Sequence, residues 1–292
     1  MKQMKVRKAP GKEGKLQPYK FIVSGGGTGG HIFPAIAIAN ALKQRVPDAD
    51  FLFVGAEGRM EMEKVPAAGY KIVGLWISGL QRKLTFANLS FPFKVISSII
   101  RAKKIMREFK PSAVIGKCGY ASGPMLRVAS KAGVPTLIQE QNSYPGITNR
   151  VLSARVNRIC VAYPGMEKYF PKHKIIFTGN PVRQDILNLQ GKHPRAMENF
   201  GLSADKKTLL VIGGSLGART INQSMAAGIR EIVQAGYQVI WQTGKTFLPE
   251  AKKVTEGLNG VFVSDFITKM DLAYAAADLV VSRAGASSVS EL

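Results

Sequence analysis

The stretch from Phe21 to Pro34, FIVSGGGTGGHIFP, decides how the chain is read. Phe21 to Val23 is short, apolar and partly β-branched, the composition of a buried strand. From His31 onward, Ile32, Ala35, Ile36, Ala39 and Leu42 recur at helical spacing. Between them stand Gly25, Gly26, Gly27, Thr28, Gly29 and Gly30, so the glycines join a strand end to a helix start. Glycine takes φ > 0 without a Cβ penalty and lets a ligand approach the backbone. A helix start adds unpaired N–H groups at the positive end of its dipole. Such a turn suits a phosphate or a developing oxyanion. A plain connection would not need five glycines, since each costs folding entropy.

With 292 residues and 46% hydrophobic composition, the chain is long enough for two domains with cores of their own, which excludes a disordered protein. Lys+Arg 41 against Asp+Glu 19 gives a net charge of +22 and points to an anionic partner: nucleic acid, a phosphorylated metabolite or an acidic lipid. No aromatic-rich RNA-binding motif accompanies the charge, so nucleic acid is not expected. Cys118 and Cys160 both fall in apolar, strand-like runs, which predicts reduced core residues and no disulfide or metal framework.

Residues 1–19 carry Lys2, Lys5, Arg7, Lys8, Lys12 and Lys15 with no apolar run, which predicts a basic disordered tail. The tail lacks the apolar stretch of a secretory signal, and no later segment reaches the roughly 18 apolar residues of a spanning helix, so a cytoplasmic location is expected. From residue 20 a βα rhythm begins: strand 20–24, helix to about 45, then apolar runs at 51–54, 72–77, 113–115, 136–139, 158–162 and 175–178. Alternation of this kind predicts a parallel sheet covered on both faces. After Gly179-Asn180-Pro181, residues 182–207 are polar and basic and read as a linker. The rhythm resumes with strands 208–212, 238–242, 260–263 and 279–282, and Gly213-Gly214-Ser215-Leu216-Gly217-Ala218 ends the first of them. The expectation is an α/β protein of two doubly wound Rossmann-like domains, 20–181 and 208–292, facing across a cleft with ligands beyond the carboxyl ends of the strands. Because Leu292 follows directly on a helix-opening run, Gly285 to Glu291, the second domain is expected to be incomplete.

Two literal motifs are weaker. Gly25, Gly27 and Gly30 satisfy G-x-G-x-x-G, with Glu57 as the acid closing the second strand, but a dinucleotide reading leaves the Gly-Gly-Ser turn of the second domain unexplained. Asp48-Ala49-Asp50 imitates a metal-binding D-x-D yet precedes its strand, so it reads as a solvated turn.

Six motifs in order carry a more specific resemblance: Ser24-Gly25-Gly26-Gly27-Thr28-Gly29-Gly30-His31, Gly119-Tyr120-Ala121-Ser122-Gly123-Pro124, Gln139-Glu140-Gln141-Asn142, Gly179-Asn180-Pro181-Val182-Arg183, Gly213-Gly214-Ser215 and Gly285 to Glu291. Together, from about Lys20 onward, they resemble the MurG family, the lipid I N-acetylglucosaminyltransferases of bacterial peptidoglycan synthesis. The resemblance implies the two-domain GT-B fold, UDP-N-acetylglucosamine as donor, undecaprenyl-pyrophosphoryl-N-acetylmuramoyl-pentapeptide (lipid I) as acceptor, inversion at the sugar carbon, and neither cofactor nor metal. It also implies the site. Thr28, Gly29 and Gly30 match positions near the sugar, and Asn142 one that meets a sugar hydroxyl or amide. Arg183 and Ser215, the latter at a helix N-terminus, match diphosphate-binding positions, where a forked guanidinium and backbone N–H groups stabilise the departing UDP. Ile267 matches the residue whose backbone reads the uracil. Ala286, Ser287, Ser288, Val289, Ser290 and Glu291 match the nucleoside loop, with Glu291 accepting from the ribose hydroxyls. Two departures stand out: the family commonly has His where this chain has Gln139, and Gln where it has Leu216.

An inverting transfer needs a base for the acceptor hydroxyl. His31 is the first candidate, because it follows the glycine turn and titrates near neutrality; Glu140 is the second. An acceptor with a long lipid also implies a meeting with the membrane. Leu84, Phe86, Leu89, Phe91, Phe93 and Ile96, flanked by Arg82, Lys83, Lys94, Arg101, Lys103 and Lys104, fit peripheral attachment to the anionic inner leaflet of the cytoplasmic membrane. A helix packed on the sheet would show the same spacing. The competing readings are another UDP-sugar enzyme of the same fold, such as a glycolipid synthase or UDP-N-acetylglucosamine epimerase, and a non-catalytic nucleotide- or RNA-binding module.

Overall fold

A computed structural model of the chain describes residues 18–27, 29–79, 90–117 and 119–292. Most of the basic tail, Thr28, Cys118 and the segment 80–89 with Arg82, Lys83, Leu84, Phe86 and Leu89 lie outside the described residues. The chain divides into two compact units with the boundary between Pro181 and Val182.

The first unit is built on a parallel sheet of β1 (Lys20–Gly25), β2 (Asp50–Ala56), β3 (Lys71–Leu75), β4 (Ala113–Lys117), β5 (Thr136–Glu140), β6 (Arg158–Val161) and β7 (Ile175–Phe177), in the order β3-β2-β1-β4-β5-β6-β7. Successive strand residues face opposite sides of a sheet, so Ile22 and Val23, both fully buried, enter different cores. On one side Val23, Phe53 and Ile115 pack under Ile32, Ala35, Ile36 and Ala39 of α1 (Gly29–Arg45) and Val65 of α2 (Glu61–Ala67). On the other, Ile22, Val54, Val114 and Ile138 meet Ala102 and Ile105 of α3 (Phe91–Phe109), Met125 and Leu126 of α4 (Ser122–Lys131) and Leu152 of α5 (Ile147–Ser153). Each such valine, leucine, isoleucine, methionine or phenylalanine contributes about 1.5–3 kcal/mol on burial. The strand order reverses between β1 and β4, where Gly25 pairs with Lys117. At that reversal an open α/β sheet presents its binding crevice.

The second unit carries β8 (Thr208–Ile212), β9 (Gln238–Gln242), β10 (Val261–Ser264) and β11 (Leu279–Ser282), parallel in the order β10-β9-β8-β11. Its helices are α6 (His193–Phe200), α7 (Arg219–Gln234), α8 (Leu248–Val254), α9 (Met270–Ala276) and α10 (Ala286–Glu291). The segment 182–207, expected as a linker, belongs to this unit's core instead. Ile186, Ala196, Met197 and Phe200 pack with Leu210, Ile240, Leu272 and Ala273. The reason is periodicity: α6 buries one narrow stripe and turns its polar and basic residues outward, so its average composition looks like a loop.

Candidate active site

β1 leaves the sheet into Gly26 and Gly27, whose φ values of 148° and 102° are open to glycine and strained for any other residue. A residue that the sequence did not flag holds this turn. Glu61, the first residue of α2, is buried; its Oε2 accepts the Gly27 N–H at 2.9 Å and its Oε1 the Ala56 N–H at 3.0 Å. A Cβ on Gly26 would run into the Glu61 carboxylate, and one on Gly119 would meet the Gly26 carbonyl oxygen. The acid that serves the turn is therefore Glu61, while Glu57, the acid offered by the dinucleotide pattern, is exposed. Gly29 and Gly30 follow as the first residues of α1, with His31 third.

The ends of β4 and β5 complete this side. Lys117 is fully buried, and its Nζ donates to Gln141 Oε1 at 2.8 Å. Gln141 Nε2 lies 3.4 Å from His31 Nδ1. Burial first, and then the Lys117 charge, lower the His31 pKa to about 4, against an opposing influence of Glu140. His31 is thus neutral at pH 7. Glu140 is equally buried, but its oxygens are occupied: Oε1 accepts from the backbone N–H and Nδ2 of Asn142 at 3.0 and 3.1 Å, and Oε2 from the Gly146 N–H and Asn149 Nδ2 at 3.1 and 2.9 Å. These four donors occupy both carboxylate oxygens and leave them little room for a substrate hydroxyl. The geometry suits Glu140 to shaping the loop that presents Asn142, rather than to the base role offered by sequence. Asn180 closes over the same strand end, donating from Nδ2 to the Gln141 carbonyl at 3.2 Å and accepting from Gln139 Nε2 at 3.1 Å.

In the second unit the turn after β8 packs against the end of β9. Gly217 has φ 79°, and a Cβ there would strike the Thr243 carbonyl oxygen. Ser215 lies within the turn, four residues ahead of Arg219 where α7 begins, because Gly217 and an extended Ala218 intervene; it is not at the helix terminus that the sequence suggested. Gln242, buried at the end of β9, ties the turn to the Ile267 segment: its Nε2 donates to the Gly214 carbonyl at 3.0 Å and its Oε1 accepts the Ile267 N–H at 2.8 Å. Sequence reasoning missed it, although a glutamine closing the apolar run QVIWQ is a visible signal. Arg183 forms a two-point pair with Glu291, which also accepts from the Tyr274 hydroxyl. Burial, followed by the Glu291 charge, pushes the Tyr274 phenol up. Of the remaining loop residues, Ala286, Ser287, Ser288 and Ser290 are half-buried and Val289 is exposed.

The family model described as Glycosyltransferase family 28 N-terminal domain matches residues 21–161, and that described as Glycosyltransferase family 28 C-terminal domain matches residues 208–292. The chain belongs to glycosyltransferase family 28. Its relatives include a UDP-N-acetylglucosamine--N-acetylmuramyl-(pentapeptide) pyrophosphoryl-undecaprenol N-acetylglucosamine transferase of Flavobacterium psychrophilum, 57% identical over 95% of this chain and 75% of that protein. A protein of the same description from Parabacteroides distasonis is 57% identical over 95% of this chain and 76% of its own length. Among solved structures, MurG of Acinetobacter baumannii is similar with TM-score 0.63 and 29% identity, over 94% of this chain and 75% of that one. A UDP-GlcNAc 2-epimerase from Neisseria meningitidis shares the fold at TM-score 0.60 and 12% identity, over 92% and 78% of the two chains.

This family 28 member also carries an apolar face on its first unit. α3 buries Ser98, Ala102, Ile105 and Met106, yet Phe93, Ile96 and Ile100 on its other side are 68%, 57% and 62% exposed. Beside them a cavity of about 320 Å³ is lined by Phe91, Ile99, Tyr120, Ile147 and Val151, with Arg127 and Arg155 also in its wall. Arg101, Lys103 and Lys104 are exposed on the same helix. Among the described residues no helix is long and apolar enough to cross a membrane.

Proposed function

We infer that the protein is an inverting glycosyltransferase that moves N-acetylglucosamine from UDP-N-acetylglucosamine to undecaprenyl-pyrophosphoryl-N-acetylmuramoyl-pentapeptide, giving lipid II for peptidoglycan synthesis. The observation that carries this is the 57% identity, over 95% of the chain, to relatives that bear the name of that transferase. In the reaction an acceptor hydroxyl oxygen bonds to the anomeric carbon as the bond from that carbon to the UDP oxygen breaks. The hydroxyl proton passes to His31, which is wholly in its basic form at pH 7, although a pKa of about 4 gives it a modest driving force. Charge gathers on the departing diphosphate. Arg183 would turn from Glu291 to that charge, and the N–H groups of the 213–218 turn would add to it. Glu291 is then released to the ribose hydroxyls, and Ile267 and the 286–291 segment frame the nucleoside.

The acceptor's lipid places the reaction at the cytoplasmic face of the membrane. The exposed Phe93, Ile96 and Ile100, with Arg101, Lys103 and Lys104 beside them, support peripheral binding to its anionic inner leaflet. Diphosphate and lipid headgroups account for the basic charge without nucleic acid. The test is incubation with UDP-N-acetylglucosamine, labelled in the sugar, and a lipid I analogue in anionic vesicles. Label on the acceptor is expected. Conversion of the nucleotide sugar to its 2-epimer with the acceptor unlabelled would favour the epimerase reading instead.

A further inference from the structure

We propose that Lys117 is a positioning residue for glycosyl transfer: through the Gln141 carboxamide it fixes which nitrogen of His31 carries the proton, leaving Nδ1 basic and Nε2 a donor. The proposal rests on the reading of His31 as the base and adds the atom at which it acts.

The argument is one of donor and acceptor inventory. An ammonium group has donors alone, so the oxygen of Gln141 must face Lys117 Nζ at 2.8 Å and its NH2 must face away. That NH2 meets His31 Nδ1 at 3.4 Å. An NH2 donates, so Nδ1 accepts, and the proton of the neutral ring sits on Nε2. Were the partner of Gln141 Oε1 apolar, the carboxamide could turn over and both tautomers would be open. Among the described residues the charged groups facing His31 are Lys117 from β4 and Glu140 from β5; Lys117 opposes protonation of the ring and Glu140 favours it.

The placement of Lys117 speaks against a packing role. It is fully buried at the end of an apolar strand, opposite Gly25 of the glycine turn, where a methionine would fill the same space without burying a charge. The 3.4 Å contact is also longer than an ordinary N–H hydrogen bond, so the Gln141 NH2 holds Nδ1 loosely. An entering acceptor hydroxyl displaces it. As the hydroxyl oxygen bonds to the sugar carbon and the bond to UDP breaks, the hydroxyl proton moves to Nδ1 and the ring becomes imidazolium.

The test is histidine nitrogen NMR on the full chain across pH, which reports tautomer and pKa without reference to turnover. In the unsubstituted protein His31 is expected to be neutral at pH 7 with its proton on Nε2. Lys117→Met should populate both tautomers and move the His31 pKa part of the way from about 4 toward 6.5, since burial remains. Gln141→Leu should lose the tautomer preference while the pKa stays low. An imidazolium or an Nδ1–H tautomer at pH 7 in the unsubstituted protein would overturn the proposal, whether or not either variant folds. So would a Lys117→Met spectrum with unchanged tautomer and pKa. If instead the spectra come out as expected but His31→Ala keeps full transfer activity, the base reading fails while the Lys117 assignment of the tautomer stands.

Discussion

Arg183 and Glu291, 108 residues apart in the chain, hold each other at two points: Nε lies 3.2 Å from Oε1 and Nη2 3.2 Å from Oε2. Tyr274 donates to the same Oε2 at 2.9 Å, and both members of the pair are largely buried, with side chains 16% and 14% exposed. Two residues that the proposed function gives to different parts of the donor are therefore partners of one another. Arg183→Ala is expected to weaken UDP-N-acetylglucosamine binding by about 10- to 100-fold, the worth of a hydrogen bond to a charged group. Tyr274→Phe should weaken it by less than tenfold, since the pair survives. Calorimetric titration measures both, and equal affinity in Arg183→Ala would put Arg183 outside the donor site.

Glu140 makes a different kind of prediction. With its carboxylate committed to Asn142, Gly146 and Asn149, Glu140→Gln turns an acceptor into a donor among donors. The expected result is a loss of about 1–3 kcal/mol in urea unfolding and faster amide exchange at Asn142 and Gly146. A variant of undiminished stability that has lost turnover would return Glu140 to the role of base.

His31 sets a pH dependence of stability. Its folded pKa is about 4 against 6.5 in the free side chain, from burial first and the Lys117 charge second. Between those values the unfolded chain binds the extra proton, so stability rises with pH across the window and the full penalty is present below about pH 4. The size is about 3 kcal/mol at most. Asp271, which burial raises but hydrogen bonding led by Lys192 brings below the usual value, and Asp278, held low by its hydrogen bond with Lys207, lose their contribution at more acid pH, which the comparison can separate. His31→Gln should flatten the slope of urea midpoint against pH between 4.5 and 6.5; an unchanged slope would mean that the imidazole is hydrated in solution.

The apolar face can be tested without touching a core. Phe93 and Ile96 are exposed, so Phe93→Asp with Ile96→Asp should leave the unfolding midpoint within about 0.5 kcal/mol of the parent. Co-sedimentation with anionic vesicles should fall at least tenfold, because two inserting side chains of about 1.5–3 kcal/mol each are replaced by like charge. Retained sedimentation would assign the membrane contact to another surface.

The strands and their parallel order were readable because a strand buried on both faces is a run of apolar residues, and Phe21 to Val23 or Thr208 to Ile212 look like nothing else. α6 was legible too, had Ala196, Met197 and Phe200 been weighed by spacing rather than by the composition around them. Glu61 was not: it meets a glycine 34 residues away, and an acid in the first turn of a helix ordinarily reads as a response to the dipole. Glu140 shows the converse. A carboxylate at a strand end has the same letter whether it faces a substrate or four N–H groups of the segment that follows it, and the contacts with Asn142, Gly146 and Asn149 are visible only in the fold.

The contact between Gly26 and Glu61 also limits how the chain can drift. The carboxylate occupies the volume that a side chain on Gly26 would need, while the carbonyl of Gly26 occupies that of a side chain on Gly119. Gly26, Glu61 at the start of α2 and Gly119 therefore form one interlocked unit of inheritance, in which neither glycine can gain bulk without striking its neighbour. A library randomised at these three positions together should return glycine at 26 and at 119, since the space and the positive φ at each both exclude a side chain.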